Sequence, residues 1–189
     1  PEWFIESCKK ISYLFPRAHA VAYVMMAFRI AWFKVYHPLA FYAAYFSIRA
    51  KAFDLRIMTG DLNTQLREFN RIKALDRGAS PKEKDLMSAL EVSMEMYQRG
   101  YRFINVDIQH SGARRFSIKD GALLPPFLAI DSLGETVADA IVEERGTKPF
   151  TSLKDLQRRC KVSATIIETM KALKCCGDLP EDEQMSLFG

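Results

Sequence analysis

Twice in this chain a bend too short to be an element of its own stands directly before a helical pattern. The first is Ile130-Asp131-Ser132-Leu133-Gly134, followed by residues 135–145, where Val137, Ala138, Ile141 and Val142 recur at helical spacing. The second is Cys160-Lys161-Val162, followed by Ser163 as an N-cap and by residues 164–173, striped with Ile166, Ile167 and Met170. Between them Ser152 can cap a helix whose Leu153 and Leu156 face inward. A bend that opens onto a helix N-terminus presents N–H groups that lack internal partners and lie at the positive end of the helix dipole. Such a place suits a phosphate oxygen. Gly134 keeps side-chain bulk out of the approach, with Ser132, Glu135 and Thr136 around it and Lys161, Val162 and Ser163 at the second bend. Either bend alone reads equally well as an ordinary packing corner between two helices.

The two bends, joined by the connector 148–156, resemble the tandem helix-hairpin-helix motif, whose usual bend is hydrophobic-x-Gly-hydrophobic-Gly. Ser132 stands where the first glycine is usual, and Cys160 is the other departure from the pattern. The resemblance implies that both bends hold the backbone of duplex DNA without reading its sequence. The charge distribution is compatible with a polyanion. The net charge is +4, but the last fourteen residues hold four acidic residues and no Lys or Arg, which leaves 27 basic against 19 acidic residues over the first 175. Solvated helical faces are often as basic as this.

At 189 residues and 49% apolar content, the chain can bury a core in one or two domains. Cys8, Cys160, Cys175 and Cys176 show no C-x-x-C spacing, and the adjacent pair has no second pair to close a zinc site. Reduced structural thiols in a cytoplasm are expected. Neither a signal peptide nor an apolar run long enough to cross a membrane is expected, and the start at Pro1 reads as a piece of something longer.

Residues 3–13 should form a short amphipathic helix that turns Trp3, Phe4, Cys8 and Ile11 to a core. Pro16 interrupts it, a long helix follows over 17–36, and His37-Pro38 ends that one. In the next helix, residues 39–50, Phe41 with Tyr45 and Tyr42 with Phe46 are i, i+4 pairs that read as core rather than as a base-stacking platform. On the long helix His19 and Tyr23 are four apart beside Arg17, in the first turns where the dipole favours an anion. That spacing fits a triphosphate grip, and it fits a half-buried hydrogen-bonded pair too.

The run Tyr13-Leu14-Phe15-Pro16-Arg17-Ala18-His19-Ala20-Val21-Ala22-Tyr23, continued through residues 29–34, His37-Pro38 and the aromatics of 41–46, resembles the fingers of bacterial replicative DNA polymerases. More narrowly it is similar to the C-family PolC-type DNA polymerase III alpha subunits of low-GC Gram-positive bacteria. The resemblance covers essentially the whole chain as a C-terminal portion of such an enzyme. It implies that His19 and Tyr23 contact the incoming deoxynucleoside triphosphate, that Phe15 lines the same pocket, and that Arg17 lies near the phosphates or the template. Gln184-Met185-Ser186-Leu187-Phe188 is similar to the family's sliding-clamp peptide. Attachment to that ring, the beta subunit, would raise the local concentration of primer–template duplex. Polymerases hold two metal ions on carboxylates, and this chain has no Asp-x-Asp pair on a strand. The Mg2+ ions and catalytic aspartates of the resemblance therefore belong to an upstream palm, beside a thumb, and this segment is expected to bind no metal and to be inactive alone.

Leu62, Leu66, Phe69 and Ile72 mark a further helix, and Ser80-Pro81-Lys82-Glu83 reads as a capping box that opens another, striped by Leu86, Leu90, Met94 and Tyr97 up to Gly100. Over 101–124 the period changes to two, which predicts two or three short strands with a turn at Asp120-Gly121 and His110 in a loop without a metal-ligand partner. The expected fold is mainly α: a fingers segment at 1–100, a β linker at 101–124, the tandem hairpins at 125–178 and a flexible clamp-binding tail at 179–189. A non-catalytic helix-hairpin-helix DNA-binding or repair accessory protein, or a clamp-associated adaptor, would share most of these features.

Overall fold

The computed structural model describes residues 1–10 and 16–182. It is mainly helical and divides into two compact units, Pro1–Phe41 and Tyr42–Gly189.

The first unit holds α1 (Glu2–Lys10), α2 (Arg17–Tyr36) and the start of α3 (Pro38–Ala44). The long helix forms where Pro16 and His37-Pro38 bound it. The expectation that Trp3, Phe4 and Cys8 turn to a core is not met: Trp3 is 70% exposed, Phe4 is also exposed, and α1 buries nothing, because the unit supplies no second layer to cover it. Ile11 lies outside the described residues. In α2, Trp32 packs on Phe33, Tyr36 and His37 with ring centroids 5.1–5.2 Å apart, yet no residue of the helix is buried. Its apolar residues lie all round it, a pattern that belongs to helices enclosed on every side. By length and composition alone α2 is also long and apolar enough to cross a membrane, with a hydropathy of 1.2, which corrects the expectation that no such run exists. Arg29 and Lys34 are too few to break the run.

In the second unit α3 passes into a π-helical turn, Tyr45–Arg49, and Tyr42 and Phe46 are buried as expected. Phe46 joins Phe53, Phe103 and Phe116 in a four-ring cluster with centroids 4.9–6.1 Å apart. α4 (Leu55–Met58) is capped by Asp54 and α5 (Leu62–Ala74) by Asp61, whose carboxylates accept from Ile57 N and Thr64 N. α6 (Pro81–Gln98) opens on the expected capping box, with Ser80 and Glu83 bonded reciprocally. It packs on α5 through a buried polar joint: Ser93 Oγ donates to Gln65 Oε1 at 2.6 Å, while Gln65 Nε2 donates to Met58 O at 3.1 Å. A satisfied buried network of this kind fixes which residues of the two helices meet.

Two strands follow, β1 (Ser117–Lys119) and β2 (Ala122–Leu124), antiparallel with Ile118 opposite Leu123. Asp120 (φ 51°) and Gly121 (φ 73°) both take the positive φ that a two-residue hairpin of this hand requires. Residues 101–108 run extended but do not complete a third strand. Phe103 bridges Leu123 and Ile104 N donates to Leu123 O, after which the backbone leaves the sheet and Ile108 N donates to Cys175 O at 3.0 Å. That departure carries Val106 and Ile108 into a core shared with Leu55, Phe127, Ile130, Leu133, Ile141, Leu156 and Met170. One core thus underlies both bends.

Candidate nucleic-acid interface

The first bend leaves a 3-10 turn (Phe127–Ala129) at Ile130. Ser132 takes the left-handed backbone conformation (φ 63°), Leu133 is buried, and Gly134 (φ −76°, ψ 158°) is the extended N-cap of α7 (Glu135–Thr147). The second bend repeats this order. Lys161 is left-handed (φ 54°), Val162 is buried, and Ser163 (φ −70°, ψ 154°) caps α9 (Ala164–Ala172). Left-handed backbone costs an L-residue about 1–2 kcal/mol, and in both bends the apolar residue that follows is anchored in the core. The serine at 132 therefore leaves the hairpin path intact. Cys160 is not at the left-handed position but packs beneath it, where burial pushes its thiol up to about 11.

The two helix starts differ in what they leave open. Ser163 Oγ accepts from Ile166 N at 3.3 Å, whereas no side chain caps α7, so the N–H groups of Glu135, Thr136 and Val137 have neither an intrahelical acceptor nor a capping group. A Cβ built on Gly134 would meet no heavy atom within 4 Å. The approach to these N–H groups is open space. The start of α8 (Leu153–Cys160), by contrast, is closed by the chain itself: Asp155 N and Leu156 N donate to Ser152, Leu153 N to Pro180 O at 2.8 Å and Lys154 N to Glu181 O at 3.2 Å. Ion pairs of Lys171 with Glu181 and of Lys154 with Asp182 hold the same stretch.

In the other unit His19 and Tyr23 come together as the spacing requires, with ring centroids 4.4 Å apart and planes tilted by 59°. Both are exposed, as is Arg17 at the head of the helix. Phe15, and Gln184, Met185, Ser186, Leu187 and Phe188 of the clamp-type peptide, lie outside the described residues.

Residues 100–185 match the family described as "Helix-hairpin-helix motif", which spans both bends. Over its whole length the chain is 50% identical to a protein of Caldanaerobacter subterraneus subsp. tengcongensis named "DNA polymerase III PolC-type". It is 48% and 47% identical to proteins of the same name from Streptococcus sanguinis and Streptococcus pyogenes serotype M12. The chain is homologous to one segment of PolC-type DNA polymerase III. It spans 13% of the length of these curated relatives.

Within the matched segment, two arginines organise the hairpins, and neither carries a spacing signal that singles it out. Arg159 is 15% exposed and ties α8 to the end of α7. It bonds Glu144 Oε2 at 3.0 Å, the carbonyls of Glu144 and Lys148, and Asp155 Oδ2 at 3.2 Å, with its guanidinium 4.7 Å from the Phe150 ring centre. Burial works to raise the Asp155 carboxyl, but Arg158, the Thr151 N–H and Arg159 together hold it below the ordinary aspartate value. Arg114 pairs with Glu135 and Asp139 at the start of α7. Among the described residues no group of three His, Cys, Asp or Glu could hold a metal ion.

Proposed function

We propose that this chain is a nucleotide-, duplex- and clamp-binding portion of a cytoplasmic, replicative DNA-directed DNA polymerase of the PolC type. The observation that carries this reading is the repeated bend: two hairpins with the same backbone order, the first opening on uncapped N–H groups with free space before them. Groups of this kind donate to phosphate oxygens of any sequence, which suits an enzyme that must travel along its template. The all-round apolar surface of α2 supports the same reading, since palm and thumb domains carried on the rest of a longer enzyme would enclose it. The catalytic aspartates and their Mg2+ ions would lie on that palm. The tail residues 184–188 would attach the enzyme to its sliding clamp, two residues beyond the pinned Asp182.

The direct test is fluorescence anisotropy of the chain on a labelled primer–template duplex across a salt series. Affinity is expected to fall linearly in a log–log plot with a slope worth several phosphates, and to change little with sequence. A chain lacking residues 184–188 should keep that affinity and lose capture of the clamp ring. No binding at low salt by a folded chain would reject duplex binding and favour a clamp-associated adaptor. For the exposed pair on α2, His19→Ala or Tyr23→Phe in a complete enzyme should raise the KM for deoxynucleoside triphosphate about tenfold, as loss of one charge-assisted hydrogen bond does. An unchanged KM would leave the two rings without a role in nucleotide binding.

A further inference from the structure

The first bend carries a larger charge problem than the second. Glu135 opens α7 and Asp139 follows one turn later, so two carboxylates stand beside the N–H groups on which phosphate would be held. Arg114, from the loop before β1, reaches both. Its Nη1 donates to Glu135 Oε2 at 2.6 Å, its Nε to Asp139 Oδ1 at 3.2 Å, and its Nη2 to Asp139 Oδ2. The side chains of all three residues are about half exposed, and ion pairs in such a setting contribute little to stability. Their effect is on the field at the helix start, where an approaching phosphate would otherwise meet two negative charges.

We infer that Arg114 is a positioning residue of the first hairpin: it draws in both Glu135 and Asp139 and offsets one of their two negative charges, and thereby keeps the open end of α7 receptive to a phosphate of the DNA backbone. The inference rests on the duplex-binding reading above. The hydrogen bonds from Arg114 also hold the Asp139 carboxyl below its ordinary value. The second bend has less need, because its helix begins with Ala164, Thr165 and Ile166 and its one carboxylate a turn later, Glu168, is paired with Lys171 from its own helix.

The test is a charge-rescue series in the same anisotropy assay. Arg114→Ala should weaken duplex binding about fivefold near 0.1 M salt, where exposed charges within a Debye length still act. Adding Glu135→Gln and Asp139→Asn to that variant should bring affinity back at least to that of the unsubstituted chain, because the cluster then carries no charge where Arg114 and the two carboxylates together leave one negative charge. Arg71 also bridges two carboxylates, Glu68 at 2.7 Å and Glu83 at 3.1 Å, on a different pair of helices. Arg71→Ala is therefore the control for bulk charge and should leave affinity unchanged. A loss that the triple variant fails to restore, or an equal loss with Arg71→Ala, overturns the inference. Duplex binding that ignores Arg114→Ala overturns it alone, whereas no binding by the unsubstituted chain overturns the duplex-binding reading beneath it.

Discussion

A chain carrying Gly134→Val is expected to fold normally and to bind duplex DNA at least tenfold more weakly. Gly134 has an ordinary φ of −76°, so the backbone accepts a side chain without strain, and an added Cβ would touch nothing in the protein. The fold should lose no more than about 1 kcal/mol, the cost of a β-branched residue in place of glycine at an N-cap. The methyl groups would instead stand in the open space through which a phosphate oxygen must come within about 3 Å of the N–H groups of α7. Hydrogen bonds to a charged group are worth roughly 1.5–3 kcal/mol each, so losing even one accounts for a tenfold change. Thermal melting and anisotropy on the same sample separate the two effects. A melt near that of the unsubstituted chain together with unchanged affinity would mean that DNA does not approach α7 at this point.

The largest effect on stability is expected from Phe127→Ala. Phe127 is fully buried in the 3-10 turn that leads into the first bend, its N–H donates to Gly112 O at 2.9 Å, and the Arg145 guanidinium lies 5.7 Å from its ring centre. Truncating a buried phenylalanine to alanine costs about 3–5 kcal/mol, a large part of the 5–15 kcal/mol that stabilises an ordinary domain. Urea unfolding followed by circular dichroism should show the midpoint fall sharply. The neighbouring Leu128, 38% exposed, should tolerate alanine within about 0.5 kcal/mol. Equal effects at the two positions would place the ring of Phe127 outside the core.

Much of the local structure is written in short-range signals. The Ser80–Glu83 capping box, the Asp120-Gly121 turn, the Pro16 and Pro38 boundaries and the N-caps Ser152 and Ser163 each act over three or four residues. So did the hairpin spacing that led to the helix-hairpin-helix motif. What failed was burial on the N-terminal helices. Amphipathic spacing in α1 shows which residues could be covered, but covering them needs a second layer, and the first unit has none. Of the two or three strands expected, two form: the alternation in 103–108 is real, but its backbone is drawn off the sheet by its bond to Cys175.

The sequence by itself determined the two bends, the helices that flank them and the i, i+4 placing of His19 and Tyr23, because each is fixed by neighbours close along the chain. Only the tertiary structure decided which helix start stays open. The N-terminus of α8 is closed by carbonyls of Pro180 and Glu181, nearly thirty residues further along the chain. That of α7 is left uncapped, and Arg114, from a different loop, offsets the carboxylates beside it. Hydrogen-bond acceptors and counter-charges can come from any distance in sequence, so no local pattern announces them.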